Sequence, residues 1–422
     1  MKRWPPPAPP SSRIAEGHAH FTPPPPGWDP LAVRRLLTML ALVPLFACGN
    51  GSTQEDEAQP AVPQRSSSAS AGSSQTPAVE AQPAAAAPRD GDRTEDQARL
   101  AVGRNFSCAL HQDQLYCWGD NRRGQLGVGS RQARSGPARV QGLEAVAIVA
   151  AGDSHACVAT GAGGVACWGE AEEVGEGDAS GSTAPTPIAD LAQVVGLAAG
   201  GARTCARLRS GEVRCFGPDR VARPVTLPAA ARAVGVGHSH ACARLADGAM
   251  RCWGMNFFGQ LGIADSRPAD GPHEPTGVSS VVQIGIGNGH SCALRDGGEV
   301  WCWGDHRPDR RYDTTIALPQ RRHEGVSRIV AGGLHTCMFS PDGSSRCREV
   351  FQERVWPSGA RGRAHHPAMR VPEGSTEVAL GEGHSCARLA SGSIMCWGNN
   401  GFGESGAGDN YLGAPVEVAF PR

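Results

Sequence analysis

The sequence predicts an all-β fold, a seven-bladed β-propeller with four-stranded blades. Three observations carry this. Fourteen of the fifteen cysteines fall into seven pairs, nine residues apart in the first pair and ten in the other six. The pairs recur every 37 to 50 residues. Each pair brackets a hairpin-like phrase with further strand-like runs around it. A period of about 40–50 residues carrying four short strands reads as a propeller blade, and seven copies lie within the usual four to eight.

The pairs are Cys108/Cys117, Cys157/Cys167, Cys205/Cys215, Cys242/Cys252, Cys292/Cys302, Cys337/Cys347 and Cys386/Cys396. The clearest copy runs from Gly289 to Gly304, where two apolar runs flank the turn Asp296-Gly297-Gly298. That pattern predicts a β-hairpin. Its cysteines would face each other across two antiparallel strands, with Cα atoms about 4.5–5.5 Å apart, a separation that a disulfide accommodates. Upstream of the hairpins lie further strand-like runs, such as Val146 to Val149 and Val281 to Ile284, each preceded by a Pro-led segment such as Pro137 to Val140. The repeats are placed at about 98–136, 137–186, 187–222, 223–274, 275–318, 319–369 and 370–414. The Pro-led strand at 415–422 has no hairpin after it and is expected to pair into the first blade and close the ring, leaving no free edge.

The phrase His-x-Cys-Ala-Leu, a Gly turn, Val-x-Cys-Trp-Gly and then Asn-x-x-Gly-Gln-Leu-Gly resembles the regulator-of-chromosome-condensation repeat, in a cysteine-paired, exported bacterial form. The Asn-led part stands as Asn121 to Gly127 and again as Asn256 to Gly262. The third copy has Phe216 in place of tryptophan, the sixth has Arg348, and the seventh reads Gly403-Glu404-Ser405-Gly406. The resemblance covers about residues 98–422 and implies a seven-bladed propeller. It implies no particular activity, since family members range from nuclear exchange factors to secreted inhibitors of other enzymes. No functional residue is carried over from them.

The cysteine pairs admit two chemistries. His155, His240, His290, His335 and His384 each stand two residues before the first cysteine of a pair, on the same strand face. A His-Cys-Cys cluster could hold zinc. Two copies, however, place Phe106 and Arg203 at the histidine position and keep both cysteines. A disulfide tolerates that change and a three-ligand metal site does not, so disulfides are expected and no metal or cofactor is. The histidines are then expected to hydrogen-bond between strands or blades. Asp153-Ser154-His155 contains triad residue types, but neighbours on one strand alternate faces and cannot relay a proton. The tryptophans after the second cysteines (Trp118, Trp168, Trp253, Trp303, Trp397) are expected in the core.

Cys48 follows Arg34-Arg35 and a twelve-residue apolar run, Leu36 to Ala47. That is a signal peptide, too short for a membrane span. Leu45-Phe46-Ala47-Cys48 resembles the bacterial lipobox, which would make Cys48 the lipid attachment point. Gly49 in place of aspartate leans towards the outer membrane. The expected organisation is a Pro-rich segment 1–32 that is not translated (a start at Val33), a signal peptide 33–47, a disordered Ser/Ala/Pro/Gln-rich tether 48–97 and the propeller 98–422. The tether would reach roughly 40 Å.

Net charge is −1, which argues against a nucleic-acid clamp. Lys2 is the only lysine, which excludes a Walker-type phosphate loop and a Schiff-base lysine. The loops after each Cys-Trp-Gly phrase vary most and share one face. Blade two carries Glu170, Glu172 and Glu173 there; the fifth and sixth loops carry Arg307, Arg310, Arg311, Arg354, Arg361 and Arg363. A charge-polarised face of this kind is expected to bind a protein partner. The expected function is a non-catalytic, lipid-anchored, monomeric interaction scaffold or inhibitor-like module of the bacterial cell envelope. The alternatives are a carbohydrate or cell-wall binder, stacking sugars on Phe257, Phe258, Tyr312, Trp356, Phe402 or Tyr411, and an enzyme with its site at the channel mouth.

Overall fold

The computed structural model describes residues 96–170, 181–304, 318–349, 371–406 and 411–421, all within one compact unit, Gln82–Arg422. Every element among them is a strand. The strands form seven antiparallel sheets, six of four strands and one of three, arranged as a seven-bladed propeller. Blade five is representative: Val281–Ile286, His290–Arg295, Val300–Gly304 and Gln320–His323 run in chain order from the inside outward. The innermost strands of the other blades are Leu100–Val102, Val146–Ala151, Val194–Gly200, Ala231–Val236, Arg328–Gly332 and Ser375–Leu380. They line a central channel with a cavity of about 480 Å³.

The hairpin registers place every cysteine pair directly opposite. From blade one to blade seven these are Cys108↔Cys117, Cys157↔Cys167, Cys205↔Cys215, Cys242↔Cys252, Cys292↔Cys302, Cys337↔Cys347 and Cys386↔Cys396. All seven pairs are disulfides. Their Cα atoms lie 3.9 to 4.1 Å apart, closer than the expected separation. Cys167 and Cys252 are buried in their blades. Cys215 and Cys347 are half-buried, and these are the two blades in which Phe216 and Arg348 replace the tryptophan that follows the bridge.

The expected closure of the ring is corrected. Tyr411–Glu417 pairs with Ile394–Asn399 inside blade seven, with Cys396 opposite Val416, and does not join blade one. The Pro-led segment is the outer strand of the preceding hairpin's blade rather than the first strand of the next repeat. Blade one therefore already holds four strands between Leu100 and Arg139, and the blades run 100–139, 146–187, 194–225, 231–273, 281–323, 328–349 and 375–417. Side chains close the ring instead. Glu377 accepts the backbone N–H groups of Arg99 and Leu100 at 2.6 and 2.9 Å, and Arg388 donates to the carbonyl of Leu110 at 2.8 Å.

Adjacent blades are joined by the repeated histidines. Nε2 of His155, His240, His290 and His384 lies 2.8, 2.9, 3.0 and 2.8 Å from a hydroxyl of the following blade: Thr204, Ser291, Thr336 and Ser107 respectively. Each hydroxyl stands one residue before that blade's first cysteine. The two interfaces without histidine also lack the hydroxyl. Phe106 packs in one core cluster with Ala156, and the blade after Arg203 carries Ala241 at that position. The imidazole and the hydroxyl thus occur together or are both replaced. The sulfurs of the described pairs are spent on disulfides, and Nε2 of these four histidines on hydroxyls. Burial lowers the pKa of His155 to about 4 and of His240 and His290 to about 3.

Candidate binding face

The first and third strands of a blade run parallel, so the turn after the first strand and the loop after the third emerge at the same end. The two are tied together: Asp120 N donates to Asn105 O, Glu170 N to Ser154 O and Met255 N to Ser239 O, each at 2.9 Å. One end of the propeller therefore carries both the channel-mouth turns and the variable loops.

In blades one, four and seven the loop is built around a buried asparagine. Asn121 Oδ1 accepts Leu126 N at 3.0 Å while its amide donates to Ser130 O and Gln132 O at 2.8 and 2.9 Å. Asn256 likewise accepts Leu261 N at 2.8 Å, and Asn400 accepts Ser405 N at 2.7 Å. The residue after the loop glycine turns its side chain back into the loop: Gln125 Oε1, Gln260 Oε1 and Glu404 Oε2 accept N–H groups of Arg123, Phe258 and Phe402 at 2.9, 3.0 and 2.7 Å. Glu404 thus performs the glutamine's task, and burial pushes its pKa up.

The loops of blades one and four also clasp the next blade. Trp168 and Trp303 donate Nε1–H to the carbonyls of Gln125 and Gln260, both at 2.9 Å. Gly127 and Gly262, with φ of +69° and +73°, lie flat on those indoles, and a Cβ there would come within 2.6 and 2.8 Å of Nε1. Trp118, Trp168, Trp303 and Trp397 are buried as expected. Trp253 is half-buried.

With its backbone held this way, the loop points the two residues between asparagine and glycine outward. In blade four these are Phe257 and Phe258, 66% and 45% exposed, beside the exposed Met255. In blade seven Phe402 is exposed, and the Arg122 guanidinium of blade one lies 4.6 Å from its ring centroid. Arg122 also forms a two-point ion pair with Asp120, at 2.9 and 3.0 Å.

At the channel mouth, side chains from separate blades meet around a recess of about 120 Å³. Arg104 Nε lies 3.4 Å from Glu382. His238 Nδ1 lies 3.2 Å from Asp153, reaching past Gly201, which has no side chain to block it. The hydrogen bond to Asp153 raises the pKa of His238 against the opposing effect of burial. Burial works against ionised Asp153, but the hydrogen bond and charge of His238 prevail and hold its pKa low. Asp153 and His155 are thereby separated: the first pairs with blade four, the second with Thr204.

Of the acidic residues expected on this face, Glu170 is tied to Arg123 in an ion pair between blades two and one. Glu172, Glu173, Arg307, Arg310, Arg311, Arg354, Arg361 and Arg363 lie outside the described residues, as does Cys48. The sequence reading missed the importance of the Asn-x-x-Gly pairs for display, although the spacing was visible. It also ended the tether at Gln97, whereas Asp96 is fully buried in the propeller.

Two models of the regulator of chromosome condensation (RCC1) repeat match the chain, one at residues 112–159 and the other at 98–125, 231–260, 281–307 and 376–404. Yeast RCC1 (Prp20), in a structure bound to Kap60, superposes with a TM-score of 0.61 at 19% identity, covering 79% of this chain and 87% of that one. Saccharomyces cerevisiae Prp20p, reported with its binding properties to Gsp1p and histones, gives 0.60 at 19% identity over 79% and 90%. Human WBSCR16 gives 0.60 at 16% identity over 73% and 94%. At these identities the likeness is one of fold. Ras guanine nucleotide exchange factor C of Dictyostelium discoideum is 35% identical over 80 residues, which is 18% of this chain and 6% of that protein's length. The matched repeats fall in blades one, two, four, five and seven of a ring of seven blades: the chain is a propeller that carries regulator of chromosome condensation repeats.

Proposed function

We propose that this chain is a non-catalytic, lipid-anchored, extracytoplasmic propeller that acts as a protein-interaction module. One observation carries the interaction reading. The Asn-x-x-Gly loops have rigid, internally hydrogen-bonded backbones, yet they hold Met255, Phe257 and Phe258 out in solvent. Aromatic side chains pre-ordered in this way bury large area at little entropic cost and are enriched at the centres of protein interfaces. Anchoring and export rest on Cys48 and the apolar run before it, and seven disulfides agree with an oxidising compartment.

The test is affinity capture from envelope extract with the oxidised full chain, beside Phe257→Ala/Phe258→Ala and a charge reversal of Arg307, Arg310 and Arg311. A single protein lost selectively from either variant establishes the module and locates its face. Capture that both variants leave unchanged, together with glycan binding that depends on Phe257, moves the assignment to a carbohydrate binder. Radiolabelled palmitate incorporated by the wild type and not by Cys48→Ser would establish the anchor.

A further inference from the structure

The inner edge of a propeller blade carries backbone N–H groups that face the channel, and each needs an acceptor. In every blade one inner-strand residue lies opposite the residue that follows the first cysteine, and Leu100, Val234 and Ile329 are three of these seven equivalent positions. At two of them a side chain from the preceding blade caps the amide. Glu377 of blade seven accepts Leu100 N at 2.9 Å, and Gln283 of blade five accepts Ile329 N at 2.8 Å. Glu377 is in turn held by Arg388, directly across the strand pair, at 3.3 Å.

Blade three has the same arginine and no carboxylate. Arg207 stands opposite Gly196 in the register that sets Arg388 opposite Glu377. The missing group comes from elsewhere in the chain. The Asp96 carboxylate occupies the space a Cβ on Gly196 would need, with Oδ2 2.1 Å from that position. It receives Arg207 Nε at 2.7 Å and Nη2 at 3.0 Å, and it caps Val234 N of blade four at 3.2 Å. The backbone around it docks as well: Leu197 N donates to Asp96 O at 2.6 Å and Val149 N to Ala98 O at 2.7 Å, while the Gln97 amide donates to Val195 O at 2.9 Å. Asp96 is 0% exposed and Arg207 is 8% exposed.

We propose that the inner edges of blades two to four form a docking groove for an extended segment bearing a carboxylate, and that residues 96–99 of this chain are its resident occupant. Gly196, Arg207 and the Val234 amide are the carboxylate socket. The strap thus holds three blades together from within the channel, supplying to blade three the acid that blade seven encodes on its own strand. Release of the strap would leave a buried arginine and three edge amides open to another acidic, extended peptide.

The experiment uses the full chain and four variants, read by amide hydrogen exchange and by tryptic cleavage after Arg99. Asp96→Ala should speed exchange at Leu197 and Val234 by about 100-fold or more, the scale on which losing one partner weakens a buried pair. Gly196→Glu alone should eject the strap, since its Cβ meets Asp96, and should accelerate cleavage after Arg99. The double variant Asp96→Ala/Gly196→Glu rebuilds the blade-seven arrangement, so it should restore protection at Val234 while Arg99 stays cleavable. Adding Arg207→Met to that double variant should abolish the restoration. The Ile329 amide, capped by Gln283, is the internal control and stays protected in every folded variant. Wild-type exchange and cleavage in Gly196→Glu, or no recovery at Val234 in the double variant, would overturn the socket.

Discussion

Lowering the pH should loosen the interfaces between blades before it touches the carboxylates. Buried His155, His240 and His290 titrate in the folded protein at about 4, 3 and 3, against about 6.5 in an unfolded chain. A base whose folded pKa is depressed stays neutral in the fold while the unfolded chain takes up a proton. Its contribution is complete above pH 6.5 and is lost as pH falls from there towards its folded value. At pH 5 each of the three costs the fold about 2 kcal/mol relative to pH 7. Together that is about 6 kcal/mol, a large share of the 5–15 kcal/mol that typically holds a domain. His238 has the opposite sign: its raised pKa gives stability that is full below 6.5 and disappears as pH rises through the folded value. Asp120 and Asp153, with depressed pKa values, stabilise above about pH 3.8 and lose that contribution only below it.

The assay is urea unfolding with disulfides intact, from pH 8 to 4.5. The dependence of stability on pH should approach about 4 kcal/mol per pH unit between pH 6 and 4.5, corresponding to uptake of three protons on unfolding. His240→Phe/Ser291→Ala copies the pairing found at Phe106 and Ala156 and should remove about one proton from that slope. A stability unchanged between pH 7 and 5, or a double variant with the wild-type slope, would refute the reasoning.

Three further outcomes follow from the same contacts. Ser291→Ala alone should lose about 1–3 kcal/mol in urea unfolding at pH 7, because it strips the partner from His240 Nε2 and one of the two donors from Gln260 O. Gly262→Ala should lower the thermal midpoint through a loss of about 1–3 kcal/mol, since the added methyl meets the Trp303 indole at a positive φ. Cys292→Ala/Cys302→Ala should lose up to about 3 kcal/mol of the wild-type stability and, in a reductant titration, spare the other six bridges.

The strand pattern, the number of blades and the cysteine pairing were legible because each depends on local spacing. A hairpin whose cysteines stand ten positions apart has one register that sets them opposite, as Cys157↔Cys167, Cys242↔Cys252 and Cys292↔Cys302 show. The same register survives in Cys205↔Cys215 and Cys337↔Cys347, where the tryptophan after the bridge is lost. The inter-blade role of the histidines was legible from the copies that lack them, since Phe106 and Arg203 stand beside intact cysteine pairs. The phase of the ring was not legible. A Pro-led strand between two hairpins reads equally well as the last strand of one blade or the first of the next, and only pairing decides, as Cys396↔Val416 does. Glu170 was read as a presented charge, and its ion pair with Arg123 comes from a loop 47 residues away.

What the sequence determined by itself is whatever repeats: seven copies of one phrase dictate the blade and the disulfide, because every copy solves the same local problem. What only the tertiary structure decided is where the copies differ and compensate each other. Gly196 and Asp96 are 100 residues apart, and neither announces the other. Their relation exists because a circular fold brings the segment just before the first blade into the channel, where a buried arginine and an edge amide both require an acceptor and a glycine leaves the room for it.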